Sequence, residues 1–208
     1  MKISKIERVS KNKALYHLYI HEDLLMTVTE NTLLHFNLQK GLELSDSLQQ
    51  KIYDFDQTQR CLEQAYRYLS RRNHFRKELQ RKLRTKGYDY SRIEKTLETL
   101  KQKGYLDDNA LMIQYINDAI RLKQYGPNLI KQKLLERGLD GVAIDMALQE
   151  QYPSALQQET CQILAEKKLK TLQKFETQKT KQKLAAFLQQ RGFTWHAIQP
   201  ILENLFSE

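Results

Sequence analysis

The chain has few of the residues that cross-link or interrupt secondary structure, with two cysteines and three prolines among 208 residues. Cys61 and Cys161 are far apart in the sequence and have no CxxC or Cys/His spacing around them. This excludes a disulfide framework and a zinc-finger pattern, so both side chains are expected to be reduced thiols, either in the core or at the surface of a cytosolic protein. With so few prolines, helical periodicity can continue over long segments.

Long apolar runs are also missing. No run of ten consecutive apolar residues occurs, so no segment is expected to span a membrane. The lysines at the N-terminus, in MKISKIERVSKNK, are not followed by the apolar segment of a signal peptide. We therefore expect a cytoplasmic protein.

Patterns that carry catalysis or hold a cofactor are absent from the sequence. It contains no Walker A, GxGxxG, HExxH or GxSxG motif, and its five histidines are scattered. His17 and His21 are four residues apart, but they fall on a predicted strand and turn, which do not present them on one helix face. Asp107 and Asp108 fit a helix N-cap and its neighbour better than a pair of magnesium ligands. The sequence predicts a protein that is not an enzyme and that holds no metal or cofactor.

Positive charge is abundant and is concentrated in one stretch. The formal net charge is +9, and residues 58–108 hold 14 Lys and Arg against 7 Asp and Glu, whereas residues 1–57 hold 7 against 8. Within residues 67–86, RYLSRRNHFRKELQRKLRTK, Glu78 is the one acidic residue. The candidate site residues are the nine cations of this stretch: Arg67, Arg71, Arg72, Arg76, Lys77, Arg81, Lys82, Arg84 and Lys86.

Two features favour a polyanion-binding surface here over a solvated face that serves solubility. Arginine outnumbers lysine, and the planar guanidinium suits bidentate contact with phosphate or carboxylate. Lys77, Arg81 and Arg84 share one helix face, opposite the apolar stripe of Leu79 and Leu83. Seven lysines near the C-terminus fit a solvated helix and a binding surface equally well: Lys167, Lys168, Lys170, Lys174, Lys179, Lys181 and Lys183.

Residues 1–57 have the pattern of a small α+β module. Apolar residues alternate with polar ones in residues 14–20 and 24–30, which predicts a β-hairpin. Residues 3–9 offer a third strand, which matters because an isolated hairpin is marginally stable in water.

Two short helices are expected to complete this module. The first is capped by Thr29 or Asn31 and ends before Gly41. Ser45 offers the N-cap of the second, which continues through Tyr53.

From residue 58 onward the periodicity is helical and the pattern repeats three times. The repeats align on Gly87, Gly138 and Gly192. Leucine or isoleucine stands four and eight residues before each glycine and six and ten residues after it: Leu79, Leu83, Ile93, Leu97; Ile130, Leu134, Ile144, Leu148; Leu184, Leu188, Ile198, Leu202. Each glycine is expected to adopt the left-handed conformation that ends a helix. In the first repeat, Ser91 and Glu94 predict a capping box for the helix that follows.

A preceding helix completes each unit, at residues 58–72, 109–125 and within 159–180. The predicted fold is mainly α: an elongated array of three three-helix repeats, preceded by the small N-terminal α+β module of hairpin and helix. The predicted domains are residues 1–57, the strongly basic 58–108, 109–153 and 154–208.

Three motifs resemble the RecX family of regulatory proteins. They are R-x₆-EL-x₃-L-x₃-GY beginning at Arg72, GYLDD at residues 104–108, and YGP-x₂-I-x₃-L-x₃-G beginning at Tyr125. The likeness covers residues 58–206, and the N-terminal module is similar to an extra segment of RecX proteins from Gram-positive bacteria. One departure is Phe75, where the family often has Ser or Thr at the start of a helix, so Asn73 is expected to cap that helix instead.

The resemblance implies a modulator of the RecA recombinase. Such proteins bind in the helical groove of the RecA–DNA filament and inhibit ATP hydrolysis, strand exchange and filament extension. They thereby modulate recombination, DNA repair and the SOS response to DNA damage. Some also bind single- and double-stranded DNA directly, and more weakly. We expect a monomer whose first-repeat arginines contact the filament; the alternative is a helical-repeat protein with DNA as its main ligand.

Overall fold

The computed structural model describes residues 1–9, 14–172 and 177–206. Within these ranges it contains three strands, β1 (Lys5–Arg8), β2 (Leu15–Ile20) and β3 (Asp23–Thr29), and ten helices: α1 (Glu30–His35), α2 (Asp46–Leu69), α3 (Arg76–Thr85), α4 (Tyr90–Gln102), α5 (Asp108–Lys123), α6 (Pro127–Glu136), α7 (Gly141–Gln151), α8 (Ser154–Leu172), α9 (Thr177–Gln190) and α10 (Trp195–Phe206). The fold is mainly α with a small N-terminal sheet, as predicted. Among the residues described, no helix has the length and apolar character needed to cross a membrane.

The chain forms two compact units, Met1–Leu106 and Asp107–Glu208. In the first, the three strands make an antiparallel sheet in the order β1-β2-β3, which confirms the hairpin and the third strand. Leu18 of β2 and Val28 of β3 are buried together with Ile52 of α2. The sheet thus has one face covered by α2, because alternation along a strand sends every second side chain to the same side.

The first helix is shorter than predicted. Thr29 is its N-cap and accepts a hydrogen bond from the Thr32 amide. The helix ends at His35 with Phe36 as its C-cap, and Asn37 has a positive φ of 46°. Gly41 does not end this helix: it lies in a later turn, where its amide donates to the Ile3 carbonyl.

The expected break between a helix ending near Tyr53 and another beginning at residue 58 was wrong, because α2 is continuous from Asp46 to Leu69. Ser45 caps it as predicted, accepting from the Leu48 amide. No proline or glycine occurs within α2, so nothing in its backbone interrupts it. The expected boundary between residues 57 and 58 lies inside this helix, and the division into four domains stays a prediction.

A buried carboxylate joins α2 to the N-terminal sheet. Asp56 is 2% exposed and accepts hydrogen bonds from the Thr29 amide (2.6 Å), the Thr32 hydroxyl (2.9 Å) and Arg60 Nε (2.6 Å). Arg60 also donates to the Thr27 carbonyl at 2.7 Å. The N-terminal module and the first repeat therefore share one helix and one hydrogen-bond network.

The glycine turns between repeat helices form as predicted. Gly87, Gly138 and Gly192 have φ of 90°, 89° and 90°. In the first turn the Gly87 amide donates to Arg84 (2.9 Å) and the Tyr88 amide to Leu83 (3.4 Å), the pair of bonds of a Schellman motif. The twelve leucines and isoleucines placed around the glycines are all buried, so the predicted apolar stripe is confirmed.

Both predicted caps of the first repeat's helices were wrong. Asp89 is the N-cap of α4 and accepts from the Arg92 amide at 2.9 Å, so Ser91 and Glu94 do not form the capping box. The N-cap of α3 is Phe75, which makes no side-chain cap hydrogen bond. Asn73 precedes the cap by two residues, and its carbonyl accepts from Arg72.

Other turns agree in part with the sequence. Asp107 is the N-cap of α5 as predicted, accepting from the Ala110 amide at 2.9 Å. Pro127 occupies the first turn of α6. Leu106 is buried, whereas Tyr105 is 55% exposed. In the third repeat α8 begins at Ser154, before the segment in which it was predicted.

Within the second unit, two repeats are joined backbone to backbone. The Gly126 amide donates to the Arg191 carbonyl at 2.7 Å, and the Asn128 amide donates to the Gly192 carbonyl at 3.0 Å. The turn before α6 therefore lies directly on the turn after α9. These bonds occupy amides at the N-terminus of α6 that have no partner inside the helix.

Candidate functional site

The nine candidate cations lie on one continuous piece of the first unit, called here the first-repeat basic face: Arg67, Arg71, Arg72, Arg76, Lys77, Arg81, Lys82, Arg84 and Lys86. They occupy the last turn of α2, the turn after it, α3 and the C-cap of α3. Leu79 and Leu83 of α3 are fully buried, while Lys77, Arg81 and Arg84 are exposed. The helix therefore separates its apolar stripe from its charge.

Arg72 is held by an internal ion pair. Its guanidinium donates to both carboxylate oxygens of Glu78, with Nη1 3.3 Å from Oε2. The same carboxylate lies 3.2 Å from Nδ1 of His74, which is 4% exposed. Arg72 thus contributes to the packing of the α2–α3 turn, and its charge is compensated within the protein.

The buried imidazole and the carboxylate beside it have shifted pKa values. Burial lowers the pKa of His74 below its ordinary 6.5, since this effect exceeds the opposite influence of Glu78. Burial alone would raise the pKa of Glu78, but its contacts with Arg72 and His74 hold that pKa below 4.5. At neutral pH the pair is therefore a neutral imidazole against a carboxylate anion.

Arg76 is also committed to the fold. Its Nη2 lies 2.6 Å from Oε2 of Glu94, and Gln80 donates to the other oxygen of Glu94 at 3.0 Å. These contacts connect α3 to α4. Glu94 therefore joins two helices and does not form the capping box that was predicted for it. Arg76 is less available to a ligand than its place in the sequence suggests.

The remaining cations differ in how they are held. Lys82 Nζ lies 5.1 Å from the centre of the Tyr68 ring, a cation–π contact that leaves its N–H groups available. Arg67 stands one turn after Glu63 and offsets part of the burial that raises the pKa of Glu63. In the part of the chain that the structure describes, six of the nine cations form no ion pair: Arg67, Arg71, Lys77, Lys82, Arg84 and Lys86.

Two open clefts border Arg81. One has a volume of about 440 Å³ and is lined by Tyr68, Glu78, Arg81, Lys82 and Thr85. The other, of about 420 Å³, is lined by Gln80, Arg81, Arg84, Tyr88, Asp89, Tyr90 and Ile93. Tyr90 is 70% exposed beside the two arginines. Guanidinium groups next to an exposed ring can bind phosphate or carboxylate, and they resemble surfaces that track a nucleic-acid backbone.

The lysines near the C-terminus are dispersed over α8 and α9. Lys167 Nζ lies 3.4 Å from Gln124 Oε1, and Lys168 Nζ lies 5.2 Å from the Phe187 ring. Lys174 lies outside the described residues. Both interpretations of the other four stay open: Lys170, Lys179, Lys181 and Lys183.

The fold also brings together a second group of cations, which no sequence pattern indicates. Lys123, Lys133 and Arg191 lie around the ring of Tyr125, at 5.8, 5.8 and 6.0 Å from its centre. They come from the end of α5, from α6 and from the turn after α9, and Arg191 donates to the carbonyl of Lys123 at 3.4 Å. No local pattern connects residues so far apart in the chain, so only the folded unit reveals the group.

The two cysteines are free thiols and both are buried, so the expected placement in the core is confirmed. Burial raises the pKa of Cys61 above 9.0 and that of Cys161 to about 12. The nucleophilic thiolate is therefore scarce at neutral pH.

Comparison with known proteins identifies the repeats. Three family models match: RecX, first three-helix domain, at residues 61–100; RecX, second three-helix domain, at 107–148; and RecX, third three-helix domain, at 156–202. A protein named Regulatory protein RecX from Bacillus cytotoxicus is 31% identical over 99% of this chain and 77% of its own length. The protein of the same name from Bacillus thuringiensis is 32% identical over the same shares.

Two solved structures of RecX proteins are similar to this chain. The crystal structure of a regulatory protein RecX is similar with a TM-score of 0.76 and 28% identity, covering 96% of this chain and 98% of that chain. The crystal structure of RecX from Lactobacillus salivarius has a TM-score of 0.66 and 26% identity, covering 72% and 97%. With three matched domains, relatives over nearly the whole length and the same fold, this chain belongs to the RecX family of regulatory proteins.

Proposed function

We propose that this chain regulates RecA by binding the RecA–DNA filament in its helical groove. Bound there, it inhibits ATP hydrolysis, strand exchange and filament extension, and so modulates recombination and the response to DNA damage. It acts as a cytoplasmic monomer without catalytic activity of its own. Its relatives carry the name regulatory protein, which supports a role that works through binding.

The observation that carries this proposal is the uncompensated charge of the first-repeat basic face. Arg71, Lys77, Arg84 and Lys86 are exposed, and none forms an ion pair among the described residues. Like charges held this close repel one another, and a polyanionic partner relieves the repulsion. A filament groove that presents phosphate and acidic protein surface provides such a partner.

The second candidate function is direct DNA binding, with DNA as the main ligand. The cleft that places Arg81 and Arg84 beside the exposed Tyr90 favours it. The two functions differ in their salt dependence. If about six phosphates of duplex DNA are neutralised, log K falls with a slope of roughly −5 against log salt. Binding dominated by contact with RecA gives a shallower slope and requires RecA.

The main experiment measures ATP turnover by RecA on single-stranded DNA while the purified chain is added. We expect inhibition to deepen as the chain approaches stoichiometry with RecA. Full turnover at a stoichiometric excess of the chain would refute the proposal.

A matched pair of variants tests the surface itself. The triple variant Arg71→Glu/Lys77→Glu/Arg84→Glu reverses three exposed cations that make no ion pair in the described chain. The control Lys40→Glu/Lys51→Glu/Lys101→Glu makes the same change of charge at exposed positions outside the basic face. We expect the first variant to lose inhibition at unchanged melting temperature and the control to keep it. Equal loss in both would assign the effect to net charge and contradict this placement of the site.

A further inference from the structure

We propose that a second anion-binding surface lies in the second unit and that it takes the phosphodiester backbone of nucleic acid. It consists of five cations, called here the Tyr125 cluster: Lys123, Lys133, Lys167, Lys168 and Arg191. None of its residues belongs to the first-repeat basic face, so it extends the proposed binding to nucleic acid to a different site that is tested separately.

The cations converge on two aromatic rings. Lys123, Lys133 and Arg191 lie 5.8, 5.8 and 6.0 Å from the centre of the Tyr125 ring. Arg191 also lies 5.2 Å from the centre of the Phe187 ring, at the same distance as Lys168. Arg191 is therefore common to both groups and makes them one surface.

Lys167 joins this surface through Gln124, the residue before Tyr125. The Nζ atom of Lys167 lies 3.4 Å from the side-chain oxygen of Gln124. Gln124 is the left-handed C-cap of α5, with φ of 52°. Four helices and their ends, α5, α6, α8 and α9, thus supply positive charge to one place.

Nothing in the described chain neutralises the cluster. None of its five cations forms an ion pair with a carboxylate of residues 1–9, 14–172 or 177–206. A cation–π contact orients an ammonium or guanidinium group without consuming its N–H donors, and each lysine keeps up to three of them. Uncompensated charges gathered in this way are suited to binding an external anion.

The cluster is also held rigidly. The bonds from the Gly126 amide to the Arg191 carbonyl and from the Asn128 amide to the Gly192 carbonyl lock the turn that carries Tyr125 onto the turn that carries Arg191. Because the charges are already assembled, little conformational freedom is lost when an anion binds.

The spacing favours a phosphodiester chain over a single small anion or an acidic peptide. The cations around Tyr125 lie at most about 12 Å apart, since each is within 6.0 Å of the ring centre, and one nucleic-acid strand places about three phosphates along such a length. An acidic peptide would need its carboxylates at matching intervals on one side. A nucleic-acid backbone carries one negatively charged phosphate at every nucleotide, whatever its base sequence.

The test measures binding of the full-length chain to a fluorescent oligothymidylate, by anisotropy and without RecA, across a series of salt concentrations. The variant is Lys123→Gln/Lys133→Gln/Arg191→Gln, and the matched control is Lys40→Gln/Lys51→Gln/Lys101→Gln. We expect the variant to weaken binding at low salt by about tenfold or more. Its slope of log K against log salt becomes shallower by about 2. The charge-conserving variant Lys123→Arg/Lys133→Arg/Arg191→Lys keeps its affinity.

Three outcomes would overturn the inference. Unchanged binding by the neutralised variant removes the cluster from the nucleic-acid surface. Equal weakening in the control shows a general effect of net charge. Unchanged oligothymidylate binding combined with weaker binding of polyglutamate assigns the surface to an acidic protein. Since RecA is absent, each result is distinct from success or failure of the ATP-turnover experiment. If the neutralised variant has a lowered melting temperature, oligothymidylate binding is compared between the charge-conserving variant and the single variant Lys133→Gln instead.

Discussion

Gly126 and Gly192 are in direct contact through their backbones. A Cβ atom added to Gly126 would lie less than 3.0 Å from the carbonyl carbon and oxygen of Gly192, and one added to Gly192 would lie less than 3.0 Å from the backbone nitrogen and Cβ of Leu129. The two turns therefore approach more closely than any side chain permits. This contact joins the second and third repeats and assembles the Tyr125 cluster.

Replacing either glycine tests that contact. Gly87 and Gly192 both have φ of 90°, but nothing lies within 4 Å of a Cβ at Gly87. We expect Gly87→Ala to cost about 1–2 kcal/mol from backbone conformation alone. Gly192→Ala costs at least about 2 kcal/mol more from overlap. Gly126 has φ of −77°, so Gly126→Ala isolates the overlap. Urea denaturation followed by circular dichroism measures each value, and equal losses at Gly87 and Gly192 would contradict the contact.

Removal of the Asp56 carboxylate is expected to destabilise the first unit strongly. The change Asp56→Ala leaves the Thr29 amide and the Arg60 guanidinium without their partner, which costs about 3 kcal/mol or more. Asp54, two residues earlier on α2, is the control because it is exposed, and Asp54→Ala should cost far less. Denaturation of the full chain compares the two variants. Similar costs would show that the network does not bind the N-terminal module to α2.

The cations of the basic face should separate into two classes. Arg76 pairs with Glu94 at 2.6 Å, so Arg76→Gln lowers the free energy of unfolding by about 1 kcal/mol. Its neighbour Lys77 is exposed and has no ion pair in the described chain, so Lys77→Gln changes it by about 0.5 kcal/mol at most. If the proposed function holds, we expect the reverse order for binding, with Lys77→Gln weakening inhibition of RecA more than Arg76→Gln does. An unchanged free energy of unfolding in Arg76→Gln would contradict the division into two classes.

Stability should fall as the solution is acidified below neutral pH. The folded protein lowers the pKa of His74 below 6.5, so between that lowered value and 6.5 the unfolded chain binds more protons than the folded one. The free energy of unfolding therefore decreases as pH falls through this window. The lowered pKa of Glu78 has the same sign and adds a further loss below pH 4.5. Chemical denaturation from pH 7 to pH 4 measures both.

The variant His74→Gln is the control for this prediction. It removes the titrating imidazole, so the slope of unfolding free energy against pH just below 6.5 should become flatter, while the loss below pH 4.5 remains. An unchanged slope between pH 7 and pH 5 would show that another group is responsible.

Patterns within a few residues were sufficient for much of the architecture. Alternation in residues 14–20 and 24–30 predicted the hairpin, and the spacing of leucines around Gly87, Gly138 and Gly192 predicted the helix pairs. Local sequence patterns failed where two neighbouring residues could each cap the same helix. Ser91 and Asp89 can both cap a helix; in the structure Asp89 caps α4, while Glu94 contacts Arg76. The link between α2 and the N-terminal sheet depends on Asp56 reaching Thr29 and Thr32, which are far from it in the sequence.

By itself, the sequence determined the repeats, the glycine turns, the buried stripe and the position of the strongest charge, because each follows from backbone preference and apolar spacing over one or two helical turns. The tertiary structure alone decided which cations remain uncompensated. It pairs Arg72 with Glu78 and Arg76 with Glu94, and it brings Lys123, Lys133 and Arg191 to one ring. The reason is physical: an ion pair or a charge cluster depends on distances of a few ångströms in space, and packing sets those distances between residues far apart in the chain.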